Sequence, residues 1–513
     1  MAATPSPFRS RRDFLLGLGT STVATGAALR SPPRGDPEDM AAAGRLAGLE
    51  FDADQRELAK ARLGRLRASY ETLRRTPPPF ELGPCVHFDP FAPASTRPAP
   101  TPAVPFEIRR DVARPASDVG LAFATVDELA SLLRQKLVTS VELTELALQR
   151  LAKFDPTLHC VVSLLEEHAR ERAERADDEL SRGVDRGPLH GIPFGAKDLF
   201  GWPGTFTTFG ARPFAEFAWD VRATALQKLH DAGAVLVAKL SLGALAMGDL
   251  WYGGRTRNPY DPERGSSGSS AGPCAAVAGG LVPFALGTET LGSIVSPCRA
   301  CGIAGLRPTF GSVSRHGAMP LSWTMDKVGP IARSAVDAAL VFDAIRGRDG
   351  HDPAARDTAF DWRRGRGVAG LRFGIVQQDD FPSRTEDLAF VEWLRAAGAE
   401  PKPVSLPDAP YRSMLLMLDA EAAAAFDDFL RQGLADQLPG QGANDWPNSF
   451  RASRTIPAVE YVQAARARAR LIADMDRALA DVDVLVAPTH QGSTLVATNL
   501  TGHPTYVLPV GAD

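Results

Sequence analysis

Three short stretches carry side chains able to do covalent chemistry. Lys197 lies inside an apolar run, "IPFGAKDLF" (192–200), and lysine is rarely buried unless it is paired or has lost its charge. Burial among hydroxyls favours the neutral amine, because desolvation penalises the charged form. To serve as a base near neutrality the amine must fall from about 10.4 to near 7, a change worth about 4–5 kcal/mol. The alternative is a strand-end lysine that pairs with Asp198 at the surface.

The other two stretches are clusters of serine and glycine. "GSSGSSAG" (265–272) contains G-x-S-x-G, which forms a nucleophile elbow only between a strand and a helix. Its lead-in, "RNPYDPERGS", carries two prolines and predicts turns, so the elbow is rejected. No Gly-Lys-Ser/Thr follows to make a phosphate loop, and no serine has a lysine three residues later. The second cluster, "GTETLGS" (287–293), ends in Ser293 after a glycine turn. Such a turn can set a hydroxyl beside several free backbone N–H groups, and one oxyanion donor is worth about 2.7–4 kcal/mol to a transition state. Read alone, the same residues also fit a plain loop.

These residues need a scaffold to bring them together. "GIPFGAKDLF", "AVLVAKL", "LRFGIVQQ" and "VDVLVAP" read as short buried strands, with helical segments between them. This alternation predicts an α/β fold with a sheet covered by helices. "TVDELASLLRQKLVTSVELTELALQRLAKF" predicts two amphipathic helices, the first with a capping box from Thr125 and Glu128, the second capped at Thr139 or Ser140. A third, charged helix is expected over about 166–181. Residues 31–45 read as a linker, 51–73 have helical spacing, and the prolines from 77 to 115 predict an irregular segment wrapped over something else.

Composition excludes some functions. With 57 Lys and Arg against 61 Asp and Glu, dispersed along the chain, no nucleic-acid surface is expected. Five cysteines are too few for a disulfide framework, and Cys298-x-x-Cys301 lacks the second pair a zinc site needs. At the N-terminus Arg11-Arg12-Asp13-Phe14-Leu15 precedes a weakly apolar run ending at Arg30. That run is shorter than the about 20 residues of a membrane span. It resembles a twin-arginine export signal over 1–30, which implies a periplasmic or secreted protein without a stable membrane anchor. His190, His316 and His490 fall in loop-like places and read as local hydrogen-bonding groups.

The run "GPLHGIPFGAKDLF … GGRTRNPYDPERGSSGSSAGPCAAVAGGLVPFALGTETLGSIVSPCRACGIAGLRPTFGSVSRHG" resembles the amidase signature family. The likeness extends from about Thr125 onward, so the expected division is a signal (1–30), a linker and proline-rich extension (31–115) and an amidase signature domain (116–513). The resemblance implies a three-layer α/β/α fold with a large mixed central sheet, and a Ser-Ser-Lys triad. Ser293 would be the nucleophile, Ser269 the proton carrier held by a cis peptide bond, and Lys197 the ultimate base. Backbone N–H groups of Thr290, Leu291, Gly292 and Ser293 would receive the oxyanion. No metal or cofactor is implied, and the partner is a small-molecule amide.

Two departures from the family pattern carry expectations. Leu291 stands where glycine is common, so an ordinary negative φ is expected there, and Val295 replaces an arginine that could have balanced Glu289. Family members also continue beyond "LPVGAD" by a strand and a helix, so a truncated or naturally short form with an uncovered sheet edge is expected. Specificity is expected from residues 355–480, the loops around Met247–Trp251, and Trp323. The expected activity is hydrolysis of a carboxylic amide to acid and amine through a Ser293 acyl-enzyme, and ester hydrolysis by the same machinery is a further reading. The alternatives are the glutaminase subunit of a tRNA amidotransferase and a non-catalytic binding protein.

Overall fold

The computed structural model describes residues 111–362, 365, 367–377, 381–489 and 492–510, together with 37–46 and short pieces between 48 and 109. The expected export signal, most of the helix expected over 51–73, and His490 lie outside the described residues.

The elements that position the site begin with α1 (Val126–Arg134), whose Thr125–Glu128 capping box is present as expected. α2 (Ser140–Leu158) starts from an N-cap at Thr139. Next come β1 (Val161–Leu164), α3 (Glu166–Ser181), β2 (Pro193–Lys197), α4 (Thr224–Asp231) and β3 (Val235–Leu240). They are followed by α5 (Ala271–Ala278), β4 (Phe284–Glu289), α6 (Val295–Ala300), β5 (Ala304–Arg307), β6 (Lys327–Ala332) and α7 (Ala335–Ile345). The later elements include β7 (Phe373–Val376), β8 (Lys402–Val404), α8 (Ala458–Ala478), β9 (Val484–Val486), α9 (Ser493–Thr501) and β10 (Thr505–Val507).

Seven strands form a mixed sheet in the order β1-β3-β2-β4-β6-β5-β10. β2 runs parallel to both β3 and β4, whereas β4, β6, β5 and β10 are antiparallel in turn. Both faces of the sheet are covered, as its alternating side chains require. Phe194 and Ala196 of β2 and Phe284 and Leu286 of β4 pack into one core with α1, α4 and α7. Ala285 of β4 and Val235 and Val237 of β3 join a second core with α2, α3, α5 and α6. The architecture is therefore the expected α/β/α sandwich. A separate three-stranded parallel sheet, β8-β7-β9, contains the two later predicted strands.

Two local expectations are corrected. Residues 37–46 are a helix rather than linker: Pro37 opens it, Glu38 and Asp39 occupy its first turn and Arg45 its last, charges that suit the helix dipole. Asp261–Gly265 is a strand, not only turns, but it pairs with Arg257–Asn258 in a ribbon outside the main sheet. Such an edge ribbon tolerates Pro262, and Ser266 to Ser270 still separate the strand from α5. Cys298 and Cys301 are buried free thiols in the second core. Among the described residues no helix is long and apolar enough to cross a membrane.

Candidate active site

Lys197 is the last residue of β2 and is fully buried. Because Ala196 registers with Leu286 of β4, the lysine emerges beside Thr288, near the C-terminal end of that strand. The Ser269-Ser270 pair precedes α5, which packs under the same strands. Ser270 N–H donates to the carbonyl of Ser293 at 3.1 Å, so the two serine clusters lie side by side. They form one candidate site.

The amine of Lys197 has hydroxyl and carbonyl neighbours only. Its Nζ is 2.9 Å from Ser269 Oγ, 3.2 Å from Ser270 Oγ and 3.0 Å from Thr288 Oγ1. Asp198, the partner in the alternative reading, turns away. It binds Lys239 at 2.8 Å and Thr208 N at 2.9 Å, all in the interior. Burial consequently lowers the Lys197 amine to about 7, against weak upward pulls from Cys274, Asp326 and Glu289.

Proton placement follows from counting donors. Ser270 Oγ donates to the Thr288 carbonyl at 3.1 Å and accepts from Thr288 N–H at 3.3 Å. Its own proton is therefore engaged. A neutral Lys197 donates two N–H bonds, to Ser270 Oγ and Thr288 Oγ1, which leaves its lone pair for the Ser269 hydroxyl. The Gly268–Ser269 peptide bond is cis. Among the described residues no hydrogen bond joins Ser293 Oγ to Ser269 Oγ. Such contacts are often long without substrate and tighten in the complex.

The turn after β4 presents unused donors. Among the described residues, the N–H groups of Thr290, Leu291, Gly292 and Ser293 donate to no protein acceptor, whereas those of Ile294 and Val295 both reach Glu289 Oε2, at 2.8 and 2.9 Å. Gly292 takes the positive φ of the turn, +85°, and Leu291 is absent from the left-handed region, as expected. A β-carbon on Gly292 would meet Ser296 Oγ at 2.9 Å.

The charge at Glu289 is balanced from elsewhere. Arg307, at the end of β5, donates to Glu289 Oε1 at 2.8 Å, and Asn499 of α9 donates to the same oxygen at 2.9 Å. Burial pushes the Glu289 carboxyl up, but Arg307 and the Val295 N–H outweigh it and hold it at about 2. Thr290 is tied down too. Its hydroxyl donates 2.6 Å to Asp326 Oδ1, while Asp326 Oδ2 accepts from the N–H groups of Leu321 and Ser322. Sequence reasoning missed Thr288, although it lies within the 287–293 cluster, and also Arg307, Asp326 and Asn499, which reach the site from other parts of the chain with no local motif.

A cavity of about 120 Å³ opens onto Thr288 and Thr290. Leu199, Phe310, Met319, Leu321 and Trp323 line it, with Phe88 from the N-terminal extension. Trp323 is among the expected specificity residues. The segment 355–480 contributes none of this cavity's lining, and only Ala246 comes from beside the 247–251 loop. Residues between 310 and 354 supply most of the lining instead. His316 also lines the cavity, stacked on His351 at 4.5 Å, and His190 lies against Glu179, 3.2 Å away.

The amidase family profile matches residues 142–507, most of the chain. The chain belongs to the amidase family. It is 32% identical over 421 residues to a subunit of the glutamyl-tRNA(Gln) amidotransferase of Roseiflexus sp. (strain RS-1), covering 76% of this chain and 83% of that one. Among solved structures, the native peptide amidase of Stenotrophomonas maltophilia superposes with a TM-score of 0.66 at 31% identity, covering 77% of this chain and 91% of the other. The corresponding glutamyl-tRNA(Gln) amidotransferase subunit of Thermotoga maritima gives 0.61 at 25% identity, over 76% and 88%. As an amidase-family enzyme the chain acts on carbon–nitrogen bonds, as a hydrolase or as an amidotransferase component.

Proposed function

We propose that this enzyme cleaves a carboxylic amide through an acyl group carried on Ser293. The observation that carries the proposal is a buried amine held against Ser269, across from a turn with four unused N–H donors. Ser293 Oγ attacks the amide carbonyl while Ser269 accepts its proton and passes its own to neutral Lys197. The carbonyl oxygen, now negative, collects N–H bonds from Thr290 to Ser293. The amine leaves with a proton returned through Ser269, and water then releases the acid from Ser293 by the reverse relay.

The sequence relatives support a second reading better than this one. They are named as subunits of glutamyl-tRNA(Gln) amidotransferase, so the substrate would be glutamine and the ammonia would pass to a partner complex. That reading departs from the expectation of no nucleic-acid partner. The peptide amidase likeness and the largely apolar cavity favour a free amide. An export signal at 1–30, which we propose on the sequence alone, also favours it, because charged tRNA is cytoplasmic. A reporter fused to residues 1–40 and held inside the cell removes that support.

Turnover of glutamine against a panel of aryl and aliphatic amides by the purified chain separates the two readings. Free-amide hydrolysis that Ser293→Ala abolishes is the expected result. Activity on glutamine alone transfers the assignment to the amidotransferase reading, and no activity on either removes both.

A further inference from the structure

Part of the N-terminal extension lines the cavity that opens onto Thr288 and Thr290. The Phe88 ring packs edge-on against Phe310, 4.8 Å between centroids, and the Arg468 guanidinium lies 3.4 Å from its centroid. Arg468 is itself held by Thr324, donating to its hydroxyl at 2.9 Å and its carbonyl at 2.8 Å. Beside the ring, Asp89 pairs with Arg356 at 2.9 Å, and Pro90 is buried close to Gly502. Farther along, Thr101 is bound to Phe360 and Arg346, so the extension is fastened at two places on the body.

The charged groups lining the same cavity are consumed by protein partners. Arg315 grips both oxygens of Asp352 at 2.8 Å, Asp326 is filled by Thr290, Leu321 and Ser322, and Lys327 donates to the Met325 carbonyl. Trp323 Nε1 is buried without a partner among the described residues. The apolar lining includes Phe310, Met319, Leu321 and Trp323, with His316 and His351 stacked on each other beside it. A pocket so built rewards a neutral, apolar group and offers one donor to an acceptor atom.

We propose that Phe88, supplied by the N-terminal extension, is a specificity-determining wall of the substrate pocket that selects amides bearing an aromatic or branched aliphatic group. This rests on the free-amide reading and names its substrate class. The extension then does more than cover the domain. It completes the cavity, together with Phe310 and Trp323.

The test uses the full chain and two substrates, an aromatic carboxamide and propionamide. Phe88→Ala is expected to lower the ratio of kcat/KM for the aromatic amide to that for propionamide by about tenfold, the range a lost apolar pocket contact produces. Phe88→Leu is expected to restore part of that ratio, and Asp89→Ala, which loosens the segment from outside the cavity, to lower it less. Thermal unfolding of each variant checks that the domain stays folded. A ratio unchanged in Phe88→Ala, with wild-type enzyme turning over both amides, overturns the inference alone. Wild-type enzyme that hydrolyses glutamine and neither amide overturns the free-amide reading and this inference with it.

Discussion

Lys197 Nζ lies 2.9 Å from Ser269 Oγ, and among the described residues no carboxylate is within ion-pair distance of it. A buried amine in hydroxyl company is easily neutralised, which turns a residue usually found as a surface cation into a base.

The pH profile should show this directly. Burial lowers Lys197 to about 7, so kcat/KM is expected to climb tenfold per pH unit below that value and to level above it. Lys197→Met should cost about 10²–10⁴ in rate, the usual worth of a general base, and should abolish the limb. A profile unchanged in Lys197→Met assigns the titration to another group.

The same shift has a consequence for stability, with its own sign. Above about 7 the native amine is neutral, whereas the unfolded chain keeps its proton to about 10.4. Between those values the unfolded state binds more protons, so this group's contribution to stability grows as pH rises and is lost as pH falls toward about 7. Lys197→Met is therefore expected to be more stabilising at pH 6 than at pH 9, measured by urea denaturation at both.

Ser293 should carry the acyl group. A serine-directed fluorophosphonate is expected to add one mass adduct, located to the peptide containing Ser293 and absent in Ser293→Ala. Ser269→Ala should slow labelling without moving the adduct. An adduct on Ser269 would reverse the assigned roles.

In the turn proposed to receive the oxyanion, Thr290 is held by Asp326 at 2.6 Å. Thr290→Val keeps the backbone N–H and removes only the tie. It is expected to lower kcat about tenfold with KM little changed, because an oxyanion donor misaligned in the transition state loses part of its worth. A rise in KM at unchanged kcat assigns Thr290 to substrate binding instead.

Arg307 and Glu289 form a buried pair at 2.8 Å. Arg307→Met leaves an uncompensated carboxylate in the core and is expected to destabilise the fold by about 3–5 kcal/mol. Denaturant midpoints at neutral pH and at pH 4 check it. The deficit should shrink at pH 4, where Glu289 without its cation can take a proton.

How much was legible varied with the locality of the signal. The Thr125 capping box and the helix over 166–181 are written in neighbouring residues, and both appear where expected. The β2 and β3 strands were equally readable as short apolar runs. The helix at 37–46 was missed because prolines before it read as linker, although Pro37 suits a first helical position. The wall at Phe88 was hidden for a stronger reason. Its partners, Phe310 and Arg468, are more than two hundred residues away in the chain.

The chain's order of residues was enough to settle the α/β class, the chemical types at 197, 269 and 293, and the glycine that makes the turn at 292 possible. These follow from local rules: periodicity, capping and the φ that each residue tolerates. Only the folded structure decided that Asp198 belongs to Lys239, that Arg307 replaces the missing arginine beside Glu289, and that Lys197 is left facing hydroxyls. Charge pairing and burial are properties of three-dimensional neighbours. In a sheet ordered β1-β3-β2-β4-β6-β5-β10 those neighbours come from distant parts of the chain.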